Sequence, residues 1–154
     1  MDGEALIRAV QDIEAGAARR EGANLPAVRV APQRLLPLMK RLREDTRFGF
    51  DLLLDHTAID WPDQGCFEVL YILYSTVHGH CLMVACRVPR DRPVVPSVSG
   101  IWPIALWQER EVFDMFGVLY DDHPDLRRLF LEDEWEGYPL RKDYQDSYML
   151  RRSR

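Results

Sequence analysis

Phe67-Glu68-Val69-Leu70-Tyr71-Ile72-Leu73-Tyr74-Ser75-Thr76-Val77, then His78-Gly79-His80, then Cys81-Leu82-Met83-Val84-Ala85-Cys86-Arg87-Val88 is the stretch on which the fold turns. From Val69 to Cys86 it holds no Asp, Glu, Lys or Arg, a run close to the roughly 18 residues that cross a membrane as a helix. Its β-branched and aromatic content, and the His-Gly-His triplet near its middle, instead predict two strands joined by a turn, Phe67–Val77 and Cys81–Val88. Both faces of Val69–Tyr74 are apolar, which places that strand centrally in its sheet with helices over at least one side.

Upstream, Phe50–Trp61 reads as a further strand, turned into the hairpin by Pro62-Asp63-Gln64-Gly65. Leu35, Leu38, Met39 and Leu42 follow the i, i+3, i+4, i+7 spacing of a helix with Lys40, Arg41 and Arg43 opposite, and Pro37 is expected in its first turn. Val28–Val30 is a brief strand, and Leu6, Val10 and Ile13 mark a short amphipathic helix ended by Gly16 or Gly22. Downstream, Pro89, Pro93, Pro96 and Pro103 punctuate a loop before a helix over Ile104–Phe116, closed by Gly117 and expected to stand apart from the other helices. Pro124 opens a short helix through Phe130. The expected architecture is α+β: two layers, a mostly antiparallel sheet with helices on one face, and an extended C-terminal tail. Residues 1–118 form the domain and 119–154 the strap.

The strap alternates Trp135, Tyr138, Tyr144 and Tyr148 with Glu134, Glu136, Arg141, Lys142 and Asp143. So many aromatics fit disorder poorly, and fixing each residue costs about 1–2 kcal/mol of backbone entropy. Order therefore requires a surface on which several anchors dock together, the protein's own or a partner's, with Trp, Tyr and Arg as the contact residues.

The chain has 154 residues, 47% hydrophobic and 29% charged, with a net charge of −5, which suits one globular domain and argues against general binding to nucleic acid or anionic lipid. Arg127-Arg128 and Arg151-Arg152-Ser153-Arg154 are the only support for nucleic-acid binding. Three cysteines without CxxC spacing fit a reducing compartment, and the N-terminus shows no targeting segment or membrane span.

Candidate chemistry is sparse. His78, His80, Cys81 and Cys86 have zinc-binding side chains, but Cys81 and Cys86 are an odd number apart and face opposite sides of a strand. His123 either opens the short helix or acts as a general acid or base, although no nucleophile completes such a site. On the helix, Arg110, Glu111 and Asp114 share one polar sector, while Glu109 points among Ala105, Phe113 and Phe116. A buried carboxylate demands a partner, and an ion pair with an arginine is the simplest one; the alternative is a raised pKa and an acid–base role, in a small stand-alone enzyme using Glu109 or Asp114 with His123.

The run Glu109-Arg110-Glu111-Val112-Phe113-Asp114-Met115-Phe116-Gly117-Val118, then His123-Pro124-Asp125-Leu126-Arg127-Arg128, then Trp135-Glu136-Gly137-Tyr138-Pro139-Leu140-Arg141-Lys142-Asp143-Tyr144, resembles the signature of one family of NADH-quinone oxidoreductase subunits, the 30-kDa peripheral-arm (C) subunits of respiratory complex I. The resemblance implies a non-catalytic protein without a cofactor of its own, with Glu109, Arg110, Glu111, Asp114, His123, Asp125, Arg127, Arg128, Trp135, Tyr138, Arg141, Lys142, Asp143 and Tyr144 as interface or structural positions. It implies as partners the hydrogenase-like large (D) subunit and the iron–sulfur (B and I) subunits. FMN, iron–sulfur clusters, NADH and quinone would be held by other subunits of a proton-pumping complex on the cytoplasmic side of the inner membrane. Related membrane-bound hydrogenases and complexes oxidising a reduced deazaflavin carry similar subunits. Gln145 stands where many members have Pro, and the chain is too short to carry the catalytic subunit fused in some members.

Overall fold

A computed structural model describes residues 1–146; the expectations attached to Tyr148 and to Arg151–Arg154 lie outside the described residues. The chain opens with α1 (Gly3–Ile13), whose first turn is capped by the Asp2 carboxylate accepting from the Ala5 N–H at 2.8 Å. Strands β1 (Ala18–Arg19) and β2 (Ala27–Val30) follow, then α2 (Pro32–Glu44). Three long strands, β3 (Leu52–Trp61), β4 (Cys66–Ser75) and β5 (His80–Pro89), form the meander read from the sequence. Last come β6 (Val94–Pro96), α3 (Ala105–Phe116) and β7 (Leu119–Asp121).

The main sheet has the order β1-β2-β5-β4-β3 and is antiparallel except where β2 lies parallel to β5, Val28 beside Val84 and Val30 beside Cys86. Alternation sorts its side chains. Phe67, Val69, Tyr71 and Leu73 of β4 share one face with Leu82, Val84, Cys86 and Val88 of β5, and these join Leu6, Val10, Leu35, Leu38, Met39 and Leu42 of α1 and α2 in a single core. Cys81 and Cys86 do face opposite sides of β5, Cys86 into the core.

Four expectations need correction. α1 stops at Ile13, before either glycine. Pro37 is inside α2, beyond its first turn, because Pro32 already occupies the helix start; its missing N–H falls on the exposed side. α3 does not stand apart: it packs on β3, and its Ala105, Val112 and Phe116 belong to the same core as α1 and α2. No helix forms over 125–130, where Pro124 is followed by turns and extended chain. After α3, β7 pairs in parallel with β6.

β7 is tied to the main sheet through Tyr120. Its hydroxyl donates to Nε2 of buried His56 at 2.5 Å, while Nδ1–H of the same ring donates to the Leu70 carbonyl at 2.8 Å. A ring that must accept at one nitrogen and donate at the other is neutral, and burial lowers its pKa to about 4, in keeping with this. His56 stacks on Tyr71 at 4.2 Å, and the buried Tyr71 hydroxyl has no hydrogen-bond partner among the described residues. An unpaired buried hydroxyl is destabilising, so Tyr71→Phe should raise the unfolding free energy by about 1 kcal/mol in urea titration, while Leu35→Ala, which empties a fully buried site, should lower it by about 2–5 kcal/mol. A destabilised Tyr71→Phe protein would mean that the hydroxyl is hydrogen-bonded after all.

Candidate functional site

The signature residues converge where α3 meets the strap. Glu109 is fully buried, but no arginine among the described residues pairs with it: its carboxylate accepts from the Ser97 hydroxyl at 2.6 Å and the Val98 N–H at 2.7 Å, and His123 Nε2 lies 3.9 Å away. His123 donates from Nε2 to the Leu106 carbonyl at 3.0 Å and accepts at Nδ1 from the Asp125 N–H at 3.0 Å, the pattern of a neutral ring. Burial pushes the Glu109 pKa up to about 7, against the opposing pull of its Ser97 and Val98 donors. The nearest surface hollow is lined by Leu106, Trp107, Arg110 and His123, while the Glu109 side chain is sealed within the core. Glu109 and His123 are thus each bonded to their own neighbours.

Asp114, one turn along and equally buried, has the opposite character. Burial alone would raise its pKa, yet Arg128 and the N–H groups of Phe130, Leu131 and Leu129 outweigh this and hold it below the usual carboxylate range. The contacts are 2.8 Å to Arg128 Nη1 and 2.7–3.1 Å to the three N–H groups. Those N–H groups are therefore unavailable for the helix expected over 125–130. Arg110 is also buried, donating to the carbonyls of Arg127 and Arg128 and lying over the Trp107 ring. Of the expected polar sector only Glu111 remains exposed, because the chain beyond β7 folds back over the rest.

Arg128 then reaches into the strap, donating to the carbonyls of Trp135 at 2.8 Å and Gly137 at 2.9 Å. Tyr138 lies edge-on to Phe113, and Arg141 sits over the rings of Tyr138 and Phe67 while its Nε donates to the Phe116 carbonyl at 2.6 Å. Gly117 makes this approach possible: a Cβ there would lie 2.6 Å from the Tyr138 ring, and its φ of +77° suits glycine. Farther on, the Lys142 N–H donates to buried Asp60 at 2.9 Å, and Arg90 bridges Asp60 to Asp143, with contacts of 2.7 Å to each. The Lys142 ammonium lies over Trp61, and the Tyr144 ring packs by Gly137. The strap thus finds two clamps on its own domain. Asp125 and Arg127 form an exposed pair at 2.9 Å, and Phe130, Trp135 and Leu140 stay exposed.

Asp60, Arg90 and Ser97 were missed by sequence reasoning. A signal existed for Asp60: it falls on the inward alternation of the Phe50–Trp61 strand, where a carboxylate requires donors. Among the described residues no group of three or more His, Cys, Asp or Glu is arranged to hold a metal ion. The arrangement positions chain segments.

Two pH and mutational outcomes follow. A carboxyl whose folded pKa is raised to about 7 binds its proton more tightly in the folded state, so Glu109 contributes stability that is fully present below its ordinary value of 4.5 and is lost as pH climbs to about 7. Glu109→Gln should flatten that fall, which amounts to roughly 3 kcal/mol, in urea titrations between pH 4 and 8; an unchanged slope would mean that Glu109 ionises normally. Arg128→Ala leaves Asp114 without its charge partner and should cost about 3 kcal/mol while exposing the 130–140 segment to limited proteolysis. Undiminished protection of that segment would remove Arg128 from its assigned role.

The family described as respiratory-chain NADH dehydrogenase, 30 Kd subunit, matches residues 28–148. The NADH-quinone oxidoreductase C subunit of Moorella thermoacetica is 41% identical over 140 residues, 91% of this chain and 90% of that protein. The Hyphomonas neptunium C subunit is 42% identical over 111 residues, and there the match spans 71% of this chain but about half, 54%, of the relative. Among solved structures, a chain of an archaeal membrane-bound sulfane sulfur reductase superposes with a TM-score of 0.81 at 28% identity, covering 98% of this chain and 90% of its own length. The trypsin-resistant fragment of Nqo5 superposes at 0.68 with 28% identity, covering 82% of this chain and all of the fragment. With the β3–β5 meander, the signature helix and the described part of the strap within the matched region, the chain belongs to the 30 Kd subunit family of respiratory-chain NADH dehydrogenase.

Proposed function

We propose that this chain is a non-catalytic peripheral subunit of a proton-pumping NADH-quinone oxidoreductase, holding the quinone-reducing module together on the cytoplasmic side of the inner membrane. The observation that carries the reading is the near full-length match to the Moorella thermoacetica protein. In this reading the clamps fix the strap's path, and Trp135, Phe130 and Leu140, left exposed between and beside them, dock on the hydrogenase-like large subunit, with iron–sulfur subunits adjacent. The FMN, iron–sulfur clusters, NADH and quinone belong to those other subunits. No helix among the described residues is long and apolar enough to cross a membrane, which is compatible with peripheral attachment.

The likeness to the archaeal sulfane sulfur reductase favours a second reading, in which the chain serves the same positional role in a related membrane-bound complex with a different electron donor or acceptor. Co-purification from native membranes discriminates: an NADH-binding flavoprotein marks the first, a nickel-carrying large subunit the hydrogenase branch. Removing the chain should abolish quinone reduction by membranes through loss of assembly, and NADH:quinone activity from the isolated protein would overturn the non-catalytic reading.

A variant separates docking from folding. Trp135 is 39% exposed and contributes only its backbone carbonyl to the Arg128 clamp, so Trp135→Ala should change the isolated protein's unfolding free energy by less than about 0.5 kcal/mol while sharply reducing its incorporation on native gels. Matching losses in both assays would assign Trp135 to the domain instead.

A further inference from the structure

The main sheet has two faces, and its helices cover one. On the other, Ile72 of β4 lies beside Met83 of β5 and next to Tyr74, and Ile59 of β3 lies farther along the same face beside Glu68. All four are only partly buried although β4 and β5 are interior strands, and none packs against the core. Along the same face sits Glu68, 0% exposed on a side no helix covers. Three arginines seal it: Arg20 Nη2 at 3.0 Å, Arg29 Nη2 at 2.7 Å and Arg87 Nε at 3.5 Å.

Three guanidinium groups against one carboxylate leave an excess of two positive charges there, on a chain whose net charge is −5. Arg29 and Arg87 keep about a third of their side-chain surface exposed, 34% and 37%, so their charge is open to a partner. A small anion could neutralise the arginines but would leave Ile72 and Met83 wet. An anionic bilayer suits the arginines but not exposed Asp55, which lies opposite Ile72 and faces the same side.

We infer that this open face is a docking surface for a neighbouring subunit whose contacting segment sets carboxylates over Arg20, Arg29 and Arg87 and apolar side chains over Ile72 and Met83. The charge excess selects the partner's chemistry, and the half-covered apolar pair supplies the area that a rim of charges alone would lack. The inference rests on the reading that the chain is a subunit of a membrane-associated complex, and it assigns that complex a second contact on the side of the domain opposite the helices.

The test uses the assembled complex purified from native membranes, with a photo-crosslinking amino acid at position 72, 83 or, as a reference, 135. Positions 72 and 83 should link to a segment of another subunit of that complex carrying Asp or Glu beside apolar residues. Arg87→Glu should lower retention of the chain in the complex by at least about tenfold, with retention restored by Lys at the linked carboxylate. An unchanged melting temperature of the isolated Arg87→Glu protein separates docking from misfolding, and Ile72→Lys serves as the second variant if it falls. Links from 135 with none from 72 or 83 would overturn the inference and leave the subunit reading intact, as would links from 72 and 83 to lipid, to a second copy of this chain or to a segment without carboxylates. A chain that co-purifies with no complex would overturn both.

Discussion

The carboxylate of Asp114 has no water to turn to, and every donor it accepts from comes from residues 128–131. That constraint organises the C-terminal third of the molecule. The donors must arrive from a chain that has left β7 and doubled back, so the turn at 128–131 is fixed against α3. Arg128, held there, presents its remaining N–H groups to the carbonyls of Trp135 and Gly137. From this point Tyr138 and Arg141 are delivered to the flat patch that Gly117 leaves open.

One helix carries two buried carboxylates in opposite states. Both lose water, but Asp114 receives a guanidinium and three N–H groups, whereas Glu109 receives a hydroxyl and one N–H. The balance of donors against desolvation decides the outcome in each case. Glu109 accordingly serves the helix-to-loop junction at Ser97–Val98, and Asp114 serves the strap.

The hairpin, the β3 strand, the three helices and the single-faced core were legible because each has a period long enough to register: alternation over ten residues, or apolar positions at helical spacing over three turns. β1, β6 and β7 were not, since two or three residues carry no period and their pairing is set by distant partners. The short helix expected over 125–130 does not form because amide groups at its C-terminal end bond to a side chain 15–17 positions away instead of to carbonyls four back. The partner of Glu109 was misjudged because spacing along α3 says nothing about Ser97, which only tertiary contact brings near. The strap's residues were singled out by composition and by resemblance, yet neither indicated that Asp60 and Arg90 wait for it on the domain.

The parallel pairing of β2 with β5 has a kinetic consequence. β3, β4 and β5 follow one another through tight turns and can assemble locally, but Ala27 must find Met83 across the whole of α2 and that meander. Closing so long a loop for a four-residue ladder is the step expected to limit folding, and until it happens the edge of β5 offers unpaired backbone to any other strand. Pulsed hydrogen exchange during refolding would then record protection in β4 before β2. For a protein made to join an assembly, this interval defines when premature contacts are most hazardous.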